Sequence, residues 1–210
     1  MRTFVISDIH GQLTKLKEVF QKAEFDMEND LLICLGDCCD RGPDSKGVMD
    51  LISQVKNLKL AIGNHDMWCI EWMMFKHVSE TWYGQGGQQT IDSFKCVDNF
   101  EKYIHFYMNA RAYYLDDKNR FFAHSSYPLY LNDDLHEFMW DRTIARGIIS
   151  NKFIDCPYSE VYLGHTVVGN KPINKNKYWL VDTGAGFGGR LTMINIDTKE
   201  IFKSSGLLHD

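Results

Sequence analysis

The chain has 210 residues, 44% of them hydrophobic, enough for a sizeable core in one domain or one domain with a small insertion. A formal net charge of −5 without any basic run argues against a dedicated nucleic-acid surface or a membrane-binding one. The six cysteines form no spaced disulfide framework, and the opening MRTFVISDIHG runs from a short apolar stretch straight into charge, so free thiols, no signal peptide, no membrane span and a cytoplasmic location are expected.

Thr3–Ser7 (TFVIS) is a β-prone run, followed by Leu13, Leu16, Phe20 and Ala23 at helical spacing. Leu31–Leu35 repeats the strand signal, Val48, Leu51, Ile52 and Val55 the helical one, and Leu58–Ile62 starts the cycle again. This β-α-β-α-β order predicts parallel strands joined by right-handed crossovers. Met67–Phe75, Thr90–Cys96 and Asn99–Met108 then read as aromatic-rich helices, a cap-like insertion at about 67–108 within one domain spanning 1–210. Ala112–Leu115, Arg120–His124, Val161–Gly164, Tyr178–Asp182 and Leu191–Ile196 are short β-prone runs that suggest a second, more antiparallel sheet, making the fold class α/β (α+β).

Open sheets bind ligands beyond the carboxyl ends of their strands, and each of the first strands ends in a polar cluster: Asp8-Ile9-His10-Gly11, Gly36-Asp37-Cys38-Cys39-Asp40-Arg41-Gly42 and Gly63-Asn64-His65-Asp66. Two divalent cations about 3.5–4 Å apart need a bridging carboxylate and further imidazole, carboxylate and amide ligands. Asp8, His10, Asp37, Asn64, His124 and His165 supply that set, with Asp37 as the bridge. Such a pair produces a hydroxide nucleophile at neutral pH, which attacks phosphorus directly without a cysteine or serine intermediate. His65 adjoins a ligand and can diverge from the metals to serve as general acid, oriented by Asp40, whose charge is expected to keep the imidazole protonated. Arg41 and Arg142 are the expected phosphate clamp, with Arg190 a weaker third.

DIHG, GDCCDRG and GNHD resemble the signature of the calcineurin-like metallophosphoesterases, in particular the phosphoprotein phosphatase branch. AHSSYP, MWDR, GHT followed by KP, and VDTGA extend the likeness to the small lambda-phage-type protein phosphatases along nearly the whole chain. The resemblance implies a four-layer sandwich of two facing mixed β-sheets flanked by helices. It also implies a metal-dependent phosphatase holding two divalent ions, Mn²⁺ or alternatively Fe or Zn, with phosphoserine or phosphothreonine in proteins, or a phosphorylated small molecule, as substrate. One metal falls to Asp8, His10 and Asp37, the other to Asp37, Asn64, His124 and His165, with His65 and Asp40 as the acid pair and Arg41 and Arg142 as the clamp. Two departures stand beside Asn64: Ile62 replaces an arginine, and Asp66 the usual glutamate. The apolar residue is similar to diadenosine tetraphosphate hydrolases, so a dinucleoside polyphosphate hydrolase is the rival. An inactive binding scaffold would lack a ligand or the acid, and none is missing.

Plainer readings are preferred elsewhere. Cys38 and Cys39 read as packing residues, and His77, His105, His136 and His209 as surface residues or local hydrogen-bond partners. Trp68, Trp72, Trp82 and Tyr83 read as core or cap packing rather than a nucleoside platform, and Gly84–Gly87 as a turn before a helix rather than a phosphate loop.

Overall fold

The structure is a computed structural model that describes residues 1–128, 135–153 and 155–206, and of residues 135–137 the backbone alone. His209 and the side chain of His136 therefore lie outside the described residues. Strands β1 (Thr3–Ile6), β2 (Leu31–Cys34) and β3 (Asn57–Leu60) pair in parallel, linked by helices α1 (Leu13–Lys22) and α2 (Ser45–Ile52). Asp44 starts α2 by accepting the Gly47 N–H at 2.7 Å, one of the bonds a helix N-terminus otherwise lacks. Helices α3 (Asn64–Phe75), α4 (Glu80–Trp82), α5 (Gln88–Ser93) and α6 (Glu101–Met108) follow, with a wide π-helical turn at Tyr83–Gly87 leading into α5.

The second sheet comprises β4 (Tyr113–Leu115), β5 (Arg120–Ala123), β6 (Glu160–Leu163), β7 (Ile173–Lys175) and β8 (Tyr178–Leu180) in the order β4-β5-β6-β8-β7. Helices α7 (Leu135–Trp140) and α8 (Thr143–Ile149) connect β5 to β6. Strands β9 (Thr192–Asn195) and β10 (Ile201–Lys203) return to the first sheet, giving β10-β9-β1-β2-β3.

Two expectations are corrected by this topology. The second sheet is evenly mixed rather than mainly antiparallel, because β5-β6 and β6-β8 are parallel while β4-β5 and β7-β8 are antiparallel. The strand within Leu191–Ile196 leaves that group to pair antiparallel with β1.

Alternation along the strands builds the layers. Phe4 and Ile6 of β1 face the helical side with Leu16, Val19, Val48 and Ile52, while Val5 between them faces the other sheet. Val5, Ile33, Phe122, Tyr162, Trp179 and Ile194 fill the space between the sheets, where Phe122 and Tyr162 stack at 5.0 Å. On the outer face of the second sheet, Phe121, Val161 and Leu163 pack against Phe138, Ile144 and Ile148 of α7 and α8. Strands buried on both faces read as near-continuous apolar runs, which is why TFVI and LLIC stand out in the sequence.

Candidate metal centre

The loops leaving β1, β2, β3, β5 and β6 converge on one buried point between the sheets. Six of the converging residues hold left-handed backbone: Asp8 (φ 51°), His10 (φ 48°), Asp37 (φ 53°), Asp40 (φ 72°), Arg41 (φ 65°) and His165 (φ 62°). For side chains with a Cβ this conformation costs about 1 kcal/mol or more each, and such strain gathers where function requires a set direction. Gly63 caps the N-terminus of α3 at a point where a Cβ would collide with Asp37 Oδ1, so only glycine lets that carboxylate seat against the helix. There Asp37 Oδ1 accepts the His65 backbone N–H at 3.0 Å.

Backbone carbonyls set the imidazole orientations. His10 Nδ1 donates to Cys39 O and His124 Nδ1 to Leu35 O, each at 2.8 Å, which leaves both Nε2 lone pairs facing inward. Asp37 Oδ2 sits 3.6 Å from His10 Nε2 and 3.4 Å from His124 Nε2, a position that reaches both halves of the site. On one side Asp8 Oδ1 is 4.0 Å from His10 Nε2; on the other, His124 Nε2 lies 3.1 Å from both Asn64 Oδ1 and His165 Nδ1. Asp8 is held from behind by the Ser7 hydroxyl and by the His165 N–H, the latter at 2.9 Å from Oδ2.

Two triads, His10–Asp37–His65 and Asp37–His124–His165, each keep their ligating atoms within 4.8 Å of one another. The first contains His65 where the sequence reading has Asp8. Arg41 reaches the Nε2 atoms of both His10 and His65, the latter at 2.8 Å, and what distinguishes His65 is its Nδ1, held by a carboxylate, Asp40 Oδ2, at 2.6 Å.

Asp40 is tied through both of its carboxylate oxygens. Its Oδ2 also accepts the Trp82 indole N–H at 2.7 Å, and its Oδ1 the Thr90 hydroxyl at 2.6 Å. Burial nevertheless pushes the Asp40 carboxyl up to about 6, against the pull of the Thr90 and Trp82 donors. Burial and the Arg41 guanidinium push the His65 imidazole down to about 2. At neutral pH the pair thus carries its proton on Nδ1, with Asp40 ionised and Nε2 bare, in the opposite sense to the sequence expectation of a protonated His65. That expectation weighs the Asp40 charge alone and omits burial and the two arginines.

The remaining groups follow the same rule. Burial lowers His10 well below its ordinary value and His165 to about 2, so both imidazoles are neutral, as metal ligation requires. Burial beside the Asp8 and Asp66 carboxylates raises Asp37 well above the carboxylate range.

Three residues act here in ways the motif reading missed. Asp66, noted in the sequence only as a substitution, is fully buried and laces two loops together. Its Oδ2 accepts Asp37 N at 2.7 Å and Gly63 N at 3.1 Å, and its Oδ1 accepts Cys38 N at 2.9 Å and Tyr107 Oη at 2.8 Å. Trp82, assigned to packing, is an Asp40 donor. Asp182, in VDTGA, is buried at the cleft, and burial beside Asp8 raises its carboxyl. No local pattern marks Trp82 or Asp182, whereas Asp66, as the acidic third residue of α3 reaching back to the Gly63 N–H as in a capping box, is readable.

The cleft above the centre encloses about 280 Å³, and Arg41 and Arg142 both line it. Arg190, the third expected clamp, is not among its lining residues and donates to Ser204 O at 3.1 Å. Cys38 and Cys39 are buried free thiols, with Cys38 Sγ 3.8 Å from Cys34 Sγ, as the packing reading expects. His77 and His105 are exposed, the former bonded to Glu71 at 2.8 Å. Of the aromatic group, Trp72 and Trp82 are buried, Trp68 packs on His65 and Trp140, and Tyr83 is exposed.

The donor set suits two divalent cations: neutral imidazoles, an amide oxygen and carboxylates converge in a space where burial and the neighbouring Asp8 carboxylate push Asp37 and Asp182 away from ionisation. A layered pair of mixed sheets with this centre at the strand ends defines a metallophosphoesterase. The chain belongs to the calcineurin-like phosphoesterase family, whose model matches residues 1–184. It is 27% identical to serine/threonine-protein phosphatase 1 of Salmonella typhimurium over 208 residues, covering 92% of this chain and 91% of that protein. It is also 27% identical to the asymmetrical bis(5'-nucleosyl)-tetraphosphatase PrpE of Oceanobacillus iheyensis over 233 residues, 95% and 90% of the two chains. A crystal structure provisionally assigned as a diadenosine tetraphosphatase superposes with a TM-score of 0.74 at 18% identity, covering 99% of this chain and 95% of that one. Among the described residues no helix is long and apolar enough to cross a membrane.

Proposed function

We propose that this phosphoesterase hydrolyses phosphate monoesters, with phosphoserine and phosphothreonine in proteins as its substrates. One observation carries the reading: the described lining of the cleft contains two guanidinium groups, Arg41 and Arg142, and no lysine. That is charge for a single phosphoryl group beside the metals, whereas a polyphosphate chain would call for more. The likeness to a protein phosphatase and that to a dinucleoside tetraphosphatase are equally distant and both span the chain, so the choice rests on the cleft.

In this reading Asp8, His10 and Asp37 hold one Mn²⁺-like ion, and Asp37, Asn64, His124 and His165 the other. When bound, the ions supply Lewis acidity toward the phosphoryl group and activation of water. Arg41 and Arg142 grip the phosphoryl oxygens. A phosphate dianion in the cleft draws Arg41 away from Nε2 and offsets the arginine charges that, after burial, hold His65 neutral, so the imidazole takes up a proton from solvent at Nε2 and passes it to the departing alkoxide. Asp40 retains the Nδ1–H throughout and stabilises the imidazolium. The helices over 67–108 act as a cap that anchors this pair through Trp82 and Thr90.

A second reading, hydrolysis of dinucleoside polyphosphates, is favoured by Ile62, which packs apolar surface against the helix-side core where the phosphatase pattern has an arginine. Comparing kcat/KM for a phosphopeptide and for a dinucleoside tetraphosphate, with Mn²⁺ and with chelator, separates the two. The phosphopeptide should be preferred, and a preference of about a hundredfold for the dinucleotide, nearly 3 kcal/mol, reverses the assignment. His65→Asn should lower kcat by about 10²–10⁴ with both ions still bound, and loss of an ion in that variant refutes the role given to His65.

A further inference from the structure

Beside the metal cleft runs a second hollow of about 450 Å³, lined by Tyr83, Gln85, Gln88, Gln89 and Phe187 together with Arg41 and three glycines. Its size falls within the usual range for ligand sites, about 300–1,000 Å³. It is continuous with the catalytic cleft, since Arg41, Gln85 and Phe187 line both. The floor is fastened to the clamp: Gly86, at φ 107°, accepts the Arg41 N–H through its carbonyl at 3.1 Å, and a Cβ there would come within 2.5 Å of Arg41 N.

The chemistry of the lining is uniform. Apart from Arg41, which turns its guanidinium toward His10 and His65 and stacks on Phe187 at 4.3 Å, every lining side chain is uncharged. Gln88 spends its amide N–H on Asp92 at 2.8 Å, whereas no hydrogen bond ties Gln85, Gln89 or the Tyr83 hydroxyl to another described side chain or backbone group. Tyr83 and Phe187 are 52% and 65% exposed, so aromatic surface lies open at the rim. Free primary amides present donor and acceptor together, which matches the alternating N–H and C=O of an extended main chain. Open aromatic surface suits an uncharged side chain beside it.

We infer that this hollow is a substrate subsite that takes the peptide segment flanking the phosphorylated residue, selecting neutral and apolar neighbours over charged ones. The inference rests on the protein phosphatase reading. Phosphate charge is read in the cleft by the arginines, and the flanking chain is read next door by amides and rings. With Tyr83 and Phe187 open at its rim and Arg41 shared with the cleft, the hollow can receive chain that continues from a phosphorylated residue held at the arginines.

The test compares the wild type with the double variant Tyr83→Ala/Gln89→Ala on four substrates: p-nitrophenyl phosphate, a phosphopeptide with neutral and aromatic flanks, the same peptide with acidic flanks, and a dinucleoside tetraphosphate. The wild type should prefer the neutral peptide to the acidic one by about tenfold in kcat/KM, and the variant should lose about tenfold on the neutral peptide alone, with p-nitrophenyl phosphate unchanged. Equal loss on the small ester, no loss on the neutral peptide, or a loss confined to the dinucleotide each overturns the subsite. Wild-type turnover of p-nitrophenyl phosphate without turnover of either peptide fails the protein phosphatase reading instead, before the variant is considered.

Discussion

Asp66→Asn exchanges one oxygen of a fully buried carboxylate for an amide nitrogen while keeping its volume. Asp66 accepts hydrogen bonds from Asp37 N, Gly63 N, Cys38 N and Tyr107 Oη, and a longer one from the Cys39 thiol at 3.8 Å. The asparagine does best with its NH₂ toward Cys38 and Tyr107, where the Tyr107 hydroxyl can turn and accept. Cys38 N–H is then left unmet in the interior, at about 1–3 kcal/mol, and the bonds from Asp37 N and Gly63 N fall from charge-assisted to neutral, about 1 kcal/mol each. Burial already strains the Asp66 charge, as its raised pKa records, and removing that charge returns part of the loss. The net destabilisation is about 2–3 kcal/mol, a fall in Tm of about 5–10 °C for a chain of this size. Calorimetry of the chelator-treated protein measures it. Since the same bonds hold the Asp37 loop, Mn²⁺ affinity by titration should fall about tenfold as well. A Tm within about 2 °C of wild type together with unaltered affinity would refute the claim that Asp66 sets the position of Asp37.

Other perturbations address the remaining parts of the centre. Asp37→Asn should abolish occupancy by two ions in metal analysis, and a fully loaded, active variant would show that the bridge lies elsewhere. Trp82→Phe removes a donor that holds the Asp40 carboxyl down, so its value rises above about 6 and ionised Asp40 is lost at higher pH. The acid limb of kcat/KM should move up by about one pH unit, the worth of one charge-assisted bond, and an unmoved limb argues against the Trp82 contact. Burial beside Asp8 keeps a proton on Asp37 above the ordinary carboxylate range, so a cation must displace it there. Cation affinity should therefore climb with pH above that range, with proton release visible by calorimetry in buffers of differing ionisation enthalpy, and binding without proton release would contradict the burial argument.

The part of the fold most legible in sequence was the part buried on both sides. β1 and β2 are unbroken apolar runs that end in polar clusters, so strand, loop and ligand could be read together. β7 and β10 were not anticipated: Ile173–Lys175 and Ile201–Lys203 are short outer strands, half open to solvent and partly polar, without an apolar run. Leu191–Ile196 carries a clear strand signal, but the choice of β1 as its partner depends on how the chain returns and not on its own residues. The same limit applies at the centre. The metal-facing residues lie within short motifs, whereas the Trp82–Asp40 and Tyr107–Asp66 bonds join positions 42 and 41 residues apart, and no spacing announces them.

The first turn of α3 carries three consecutive residues turned about 100° from one another, and each meets a different partner. Asn64 faces His124, His65 meets Asp40, and Asp66 binds back to the loop before it. Inserting or deleting one residue there would rotate all three away from their partners together, so descendants of this chain can inherit the turn only whole. The Tyr83–Gln89 stretch has no such obligation at its exposed positions. Substitutions there would alter what the hollow accepts and leave the reaction chemistry untouched.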